Sequence, residues 1–538
     1  MTISLREVPG VSRLYLDYLE NFERVAEFYN GDFHQNEIFF ERAKEVQARS
    51  LPLHQLLPIL KEQNQRFGGG QPTRENLAHL QNGAAAIVTG QQTGLFGGPL
   101  FTIYKALTAI KLAAHLNEKG SARFVPIFWL ASDDHDFREA NHIHILDKTN
   151  QPLEIHYPGH PSDGRVPIYA IKISERISES IAQLDDATHP SDFKPEILQA
   201  LREAYQPEAA FSDAFGKWLM QLCQSFGLML IDASDARIKS LGKKVFEKEI
   251  AEHSPSTRAA LQATERLLQK NYHAQVQFHD DVLNLFFVES ERQAIEVNEG
   301  SFFVKGTNRS FELNQLLSWL EEKPQAFSPN VLLRPVYQDA LLPTAAYVAG
   351  PAELAYYAQM KGIYEHFGTP MPIIFPRKSL TLLESKIQKV LANYRLTVSD
   401  FWKETDGLIN AVAKEQVPEN LEKRIQNAQQ CIAKNLQALD DVVSEFDPTL
   451  KDAVQNVKGK ILHQVEQLES KIVQSYKKRN AVIVQQINKA GNHLFPKRQL
   501  QERALNATPF LFKYGWQFVQ KIYDELDIWN FDHQIIEM

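Results

Sequence analysis

Ala84-Ala85-Ala86-Ile87-Val88-Thr89-Gly90-Gln91-Gln92-Thr93-Gly94-Leu95-Phe96-Gly97-Gly98-Pro99-Leu100-Phe101-Thr102-Ile103-Tyr104-Lys105 is the stretch that decides the fold. A short apolar run ends at Thr89. A turn with glycines at 90, 94, 97 and 98 follows, and Pro99 opens a helix. Leu100, Ile103, Leu107, Ile110 and Ala114 then recur by three and four, one apolar helix face, until Gly120 stops it. Glycines at this density let backbone N–H groups approach a ligand and aim a helix N-terminus at an anion. The opposing reading is a tight turn whose glycines serve packing only. Lys105 and Lys111 read as solvated helix-face residues.

A second apolar run, Phe124 to Ala131, ends in Ser132-Asp133-Asp134-His135-Asp136. Strand, helix and strand in so few residues predict a βαβ unit with parallel strands. The glycine turn and the acidic cluster then share the carboxyl edge of one sheet, where α/β folds bind ligands. Leu228–Ile231, Ala345–Ala349 and Pro372–Phe375 are expected to join that sheet. Gly350-Pro351-Ala352-Glu353 repeats the glycine–proline–helix pattern of Gly98-Pro99. Residues 275–313 read as an inserted antiparallel piece.

From Leu421 the pattern changes. Leu421, Ile425, Ala428, Ile432, Asn435, Leu439, Val442 and Phe446 form a heptad seam, broken at Asp447-Pro448-Thr449 and followed by a second helix. A protruding antiparallel hairpin is predicted, with arms of about 40–60 Å. A second copy of the chain is its expected partner, with Asn435 setting register.

Composition bounds the functions. The 538 residues are 43% hydrophobic and 23% charged, with a net charge of −8. Non-specific nucleic-acid binding is disfavoured, and no apolar stretch reaches membrane-spanning length. Cys223 and Cys431 are expected to be buried, no structural zinc site is expected, and the cytoplasm is the expected location.

Neither a Walker A loop nor a dinucleotide fingerprint fits the glycine turn. Thr89, Gly90, Gln91, Gln92, Gly94, Gly97 and Gly98 remain candidates for binding substrate or nucleotide. Asp134, His135 and Asp136 are candidates for acid–base work or for recognising an amine, against the alternative of a solvated acidic turn. His142-Ile143-His144 has strand spacing and could ligate a metal with Asp136, although a structural role is favoured and no metal is expected. Arg334 and Asp339 lie in a polar, proline-bounded stretch before a strand, where Arg334 could grip a carboxylate or phosphate. Gly350 and Glu353 mark the second glycine–proline turn. Arg377, Lys378 and Ser379 read as a basic helix start suited to phosphate.

The strings Val88 to Ala106, Phe128 to Phe137, Arg334 to Asp339, Val348 to Tyr357 and Phe375 to Ser379 resemble the bacillithiol synthase family of cysteine-adding enzymes, over essentially the whole chain. The resemblance implies an α/β, Rossmann-like core of the nucleotidyltransferase type with inserted connecting segments, plus an α-helical antiparallel coiled coil in the C-terminal half. The implied division is a core over 1–383 with inserts at about 140–220 and 235–330, a helical domain over 384–500, and a tail over 501–538 that packs on the core. It implies a homodimer and a cytoplasmic ligase that joins the cysteine carboxyl group to the glucosaminyl-malate amine, with ATP/ADP as nucleotide. Gly94 to Pro99 and Pro376 to Ser379 take the places of the class I signatures but match neither consensus. The competing expectation is a non-catalytic, nucleotide-binding scaffold that assists another enzyme.

Overall fold

A computed structural model describes the chain apart from residues 121, 162–163, 279–280, 404, 416–418 and 480, and the side chains of 405, 413–415, 419–422, 476–477 and 479. The fold divides into two units: Met1–Thr381 with Gln499–Ile536, and Leu382–Arg498 with Glu537–Met538.

The first unit is built on a five-stranded sheet. Its strands are β1 (Ala85–Gln92), β2 (Phe124–Ala131), β5 (Met229–Asp232), β11 (Thr344–Ala349) and β12 (Ile373–Pro376). The spatial order is β12-β11-β1-β2-β5, and every pairing is parallel. Counted along the chain, that is order 5-4-1-2-3, the Rossmann arrangement, which reverses direction between β1 and β11. Strands covered on both faces must be apolar throughout, and β1 is buried from Ala85 to Gly90. Helix α1 (Phe101–Lys119) packs across β1 and β2. The helices Asn36–Gln47 and Leu53–Arg66 cover β11 and β5.

Two long connections interrupt this sheet. The one between β2 and β5 holds the short helix α2 (Phe137–Ala140) and a hairpin of β3 (His142–Leu146) and β4 (Pro152–His156). The one between β5 and β11 holds an antiparallel sheet, ordered β9-β8-β7-β6-β10, of β6 (Val282–Val288), β7 (Arg292–Asn298), β8 (Ser301–Val304), β9 (Ser310–Phe311) and β10 (Phe327–Pro329). This is the predicted antiparallel insert.

The proline-bounded stretch does precede a strand, and it is helical: Arg334-Pro335 lies in the first turn of α3 (Leu333–Leu341), where proline is tolerated because its missing N–H has no intrahelical partner. The sequence reading is corrected in two places. Arg377-Lys378-Ser379 opens no helix, since it links β12 to another strand, Leu380–Leu383. Cys431 is exposed, whereas Cys223 is buried.

In the second unit, α4 (Glu419–Phe446) and α5 (Lys451–Arg479) form the predicted hairpin. Gln455 Nε2 donates to Asp440 Oδ2 (2.5 Å) and Lys458 Nζ to Gln437 Oε1 (2.8 Å), which fixes the antiparallel register. The Asp447 side chain accepts from Thr449 N and caps the turn. Toward the tip Leu439, Val442 and Phe446 are exposed. The seam side chain of Leu421 lies outside the described residues.

Candidate active site at the sheet switch point

Where strand order reverses, connections leave β1 and β11 in opposite directions and open a crevice at their carboxyl ends. A cleft of about 690 Å³ lies there, within the usual range for small-molecule sites. Gly90, Gln91 and Gln92 from β1 and Gly350 to Glu353 after β11 form its floor. Gly90 is needed because a Cβ there would stand 2.9 Å from the Trp129 carbonyl oxygen.

Lys105 is the central cation. α1 is apolar around most of its circumference, so the side chain is buried. Its amine donates to Gly90 O (2.6 Å) and Gln91 Oε1 (3.2 Å) and pairs with Glu353 Oε2 (2.5 Å). Burial pushes its proton affinity down, and Glu353 opposes that shift. Glu353 is held in turn by the Tyr347 hydroxyl (2.7 Å) and Gly350 N (2.8 Å). The expectation of a solvated Lys105 is therefore overturned. Lys111 is also held, donating to Tyr523 O (2.6 Å).

Arg377 reaches the cleft from β12. It grips the buried Glu502 through Nη2–Oε1 (2.7 Å) and Nη1–Oε2 (3.1 Å), and its buried Nε has no hydrogen-bond partner among the described residues. Burial works against both charges, but the pairing outweighs it, leaving the arginine's affinity raised and the carboxyl's lowered. Lys378 and Ser379 turn away: Lys378 Nζ donates to Asn530 O and to Asp532 O (2.7 Å), and Ser379 Oγ meets His533 Nδ1 (2.8 Å). Burial brings the Lys378 amine down to about 8.

Arg334 enters from α3. Its guanidinium donates to Gln338 Oε1 (3.0 Å) and the Tyr356 hydroxyl (3.3 Å) and lies over the Tyr347 ring. Among the described residues no carboxylate pairs with it. Arg503 adds an exposed cation at the rim. Asp339 is not in the cleft walls. It is buried and accepts from Gln338 Nε2 (2.9 Å) and the Tyr364 hydroxyl (2.6 Å), and burial raises its carboxyl.

Asp133 and Asp134 of the acidic turn line the opposite wall with Phe286 and Arg292, and His135 lies behind them, outside the lining. Asp133 pairs with the buried Lys239 (2.6 Å). Asp134 accepts from His135 N (2.7 Å) and Gln92 Nε2 (3.3 Å) and lies 3.5 Å from Arg292. Arg292, from β7, stacks on Phe286 and reaches His135 Nδ1 at 3.3 Å. An arginine can only donate, so Nδ1 accepts and the imidazole proton sits on Nε2. Burial, then the Arg292 charge, lowers the affinity of His135 for a second proton. Asp136 is set apart as the N-cap of α2, accepting from Glu139 N (3.2 Å).

Thr89 and the later glycines are structural neighbours of the cleft rather than its walls. The Thr89 hydroxyl donates to Val348 O across the switch point (2.9 Å). Gly97 (φ +90°) packs under Trp218, and Gly94 packs on Gly98. Asn506 Nδ2 donates to Phe96 O (3.0 Å) and Gly98 O (2.5 Å), and Leu100 N donates to Leu505 O (2.9 Å), so the tail covers the turn. The sequence reading missed Lys105, Lys239, Arg292, Glu502 and Arg503. Only Lys105 left a signal, a lone cation within a helix apolar on nearly all sides.

Fold and site together define an α/β protein with a cation-rich small-molecule cleft at a Rossmann switch point. Residues 1–378 match the N-terminal Rossmann-like domain, and residues 380–538 the C-terminal coiled-coil domain, of bacillithiol biosynthesis BshC. The chain belongs to the BshC family of bacillithiol biosynthesis. A relative from Salinibacter ruber is 35% identical over 97% of this chain and 96% of its own, and one from Chloroherpeton thalassium is 33% identical over 98% and 96%. Both carry the name "Putative cysteine ligase BshC". A solved Campylobacter jejuni structure titled "putative arginyl t-RNA synthetase" aligns at a TM-score of 0.22 and 11% identity, too low to bear on fold or function. No helix among the described residues is long and apolar enough to cross a membrane.

Proposed function

We propose that the chain is a carbon–nitrogen ligase that joins the carboxyl group of cysteine to the amine of glucosaminyl-malate, the last step of bacillithiol biosynthesis. The name borne by its relatives supports the reaction class. The observation that carries the reading is Arg334, a cation facing the cleft with no carboxylate partner among the described residues. A guanidinium placed so suits a carboxylate of the malate moiety, and Arg503 extends the same charge to the rim.

A carboxylate is a poor electrophile in neutral water, so amide formation needs an activated acyl group. ATP, when bound, supplies the leaving group. Lys105 and the Arg377 Nε offer charge at the floor to phosphate oxygens. Side chains take this role because the glycine turn's amides are engaged already, Gly97 N by Gly94 O, Gly98 N by Leu95 O and Leu100 N by Leu505 O of the tail. The substrate nitrogen attacks the acyl carbon, the acyl C–O bond breaks, and the amine proton passes to Asp134. Arg292, which lines that wall, offers its guanidinium to the developing oxyanion, and His135 positions it by accepting at Nδ1. The exposed Leu439, Val442 and Phe446 on the hairpin support pairing with a second copy.

The test is mass-spectrometric detection of the amide from purified chain, cysteine, glucosaminyl-malate and ATP. Formation by the wild type, with a raised KM for glucosaminyl-malate in Arg334→Ala, is expected. No product from a folded wild-type chain overturns the ligase reading and favours the scaffold.

A further inference from the structure

Outside the cleft, the β3–β4 hairpin gathers a second set of ligating groups. His142 and His144 lie two apart on β3 and so project from one face. Register places Glu154 of β4 directly opposite His144. One nitrogen of each histidine and one carboxylate oxygen all lie within 4.8 Å of one another. His144 Nε2 and Glu154 Oε2 are 3.0 Å apart. The ligands of a tetrahedral zinc ion, at about 2.0–2.2 Å from the metal, stand roughly 3.4 Å from each other. Small side-chain rotations therefore bring the three groups onto one ion.

The hydrogen bonding around His142 favours ligation. Its Nδ1 donates to Arg138 O (2.9 Å), with Asn141 Oδ1 at 3.3 Å. A backbone carbonyl on Nδ1 places the lone pair on Nε2, the arrangement that orients metal-binding histidines. The other two groups alone make an ordinary side-chain contact across the hairpin. The third, with its tautomer set this way, gives two imidazoles and one carboxylate.

We infer that His142, His144 and Glu154 form a binding site for a divalent cation of the zinc class. Imidazole nitrogens select such a borderline ion over magnesium or calcium, which take oxygen ligands. Asp136, the third ligand that the sequence offered beside the favoured structural reading, is not in the group and caps α2. The site adjoins the ligand-binding half of the molecule by a short path. His144 O accepts from Asn506 N (2.9 Å), and the Asn506 side chain holds the carbonyls of Phe96 and Gly98. A bound cation would lock β3 to β4 and so brace the residue that closes the glycine turn.

The test uses untagged full-length chain stripped with chelator and titrated with Zn²⁺ alone against a chromophoric competitor. One equivalent per chain at about micromolar Kd or tighter is expected. Binding should weaken about 10–100-fold in Glu154→Gln and by more in His142→Asn/His144→Asn. Co²⁺ should give the visible absorption of a tetrahedral N/O site in the wild type and lose it in the double variant. Glu154 is exposed, so Glu154→Gln keeps the test valid if the histidine variant does not fold. The proposal is overturned if the wild type binds no equivalent, or if Glu154→Gln binds as the wild type does.

Discussion

Two turns of this molecule share a sequence pattern and differ in every contact. Gly97-Gly98-Pro99 follows β1, Gly350-Pro351 follows β11, and each precedes a helix. The first is shut. Trp218 roofs Gly97, Asn506 takes two carbonyls, and Leu505 takes the Leu100 amide. The second opens on the cleft, with Glu353 turned back onto Gly350 N and Lys105. A glycine–proline turn makes close approach available. Whether a ligand or the protein itself fills the space depends on what the rest of the chain brings there, here the returning tail.

The tail's contacts should be the costly ones to disturb, including the one that it makes with Arg377 at the cleft. Arg377→Ala leaves Glu502 buried without its partner, and about 3–5 kcal/mol of stability should be lost, read by denaturant unfolding. A loss below 1 kcal/mol would show that the tail does not depend on this pair.

His533, also in the tail, is buried with its two nitrogens on Ser379 Oγ and Thr381 Oγ1, and burial brings its pKa down to about 4. The unfolded value is about 6.5. Between these values the unfolded chain binds the extra proton, so stability rises with pH across the window. The contribution is complete above pH about 6.5 and lost as pH falls to about 4, a change of about 3 kcal/mol. Unfolding titrations of wild type and His533→Gln should differ in slope only within that window.

Gly97→Ala places a Cβ 3.1 Å from Trp218 at φ +90°, for a predicted loss of roughly 1–3 kcal/mol. Gly350→Ala meets nothing nearer than Glu353 Oε2 at 3.4 Å, at φ −73°. It should stay within about 0.5 kcal/mol of wild type. Equal effects in thermal melts would erase the contrast between the two turns.

Much of this was legible in the chain. The run before Gly90, the helix face from Leu100 to Ala114 and the run Phe124–Ala131 fix a parallel βαβ unit, because each periodicity spans several residues and points one way. The heptads from Ile425 to Phe446 and the Pro448 break fix the hairpin for the same reason. Gln91, Gln92, Asp134, Arg334, Gly350 and Glu353 were expected at the cleft because sheet topology carries strand ends to one edge. Lys378, Ser379 and Asp339 were expected there too, and they face elsewhere. A short polar segment after a strand carries no periodicity to say which way it turns.

The sequence by itself determined the strands, their parallel sense, the helical hairpin and the edge at which polar residues collect, since these follow from local pattern and chain handedness. Only the tertiary structure decided which groups meet. Arg292 reaches His135 from an inserted sheet 157 positions away along the chain, Glu502 reaches Arg377 across 125, and Asn506 closes a turn more than 400 residues earlier. Such pairings depend on burial bringing distant charges and carbonyls into one low-dielectric space, where each must find a partner, and no local pattern records which partner arrives.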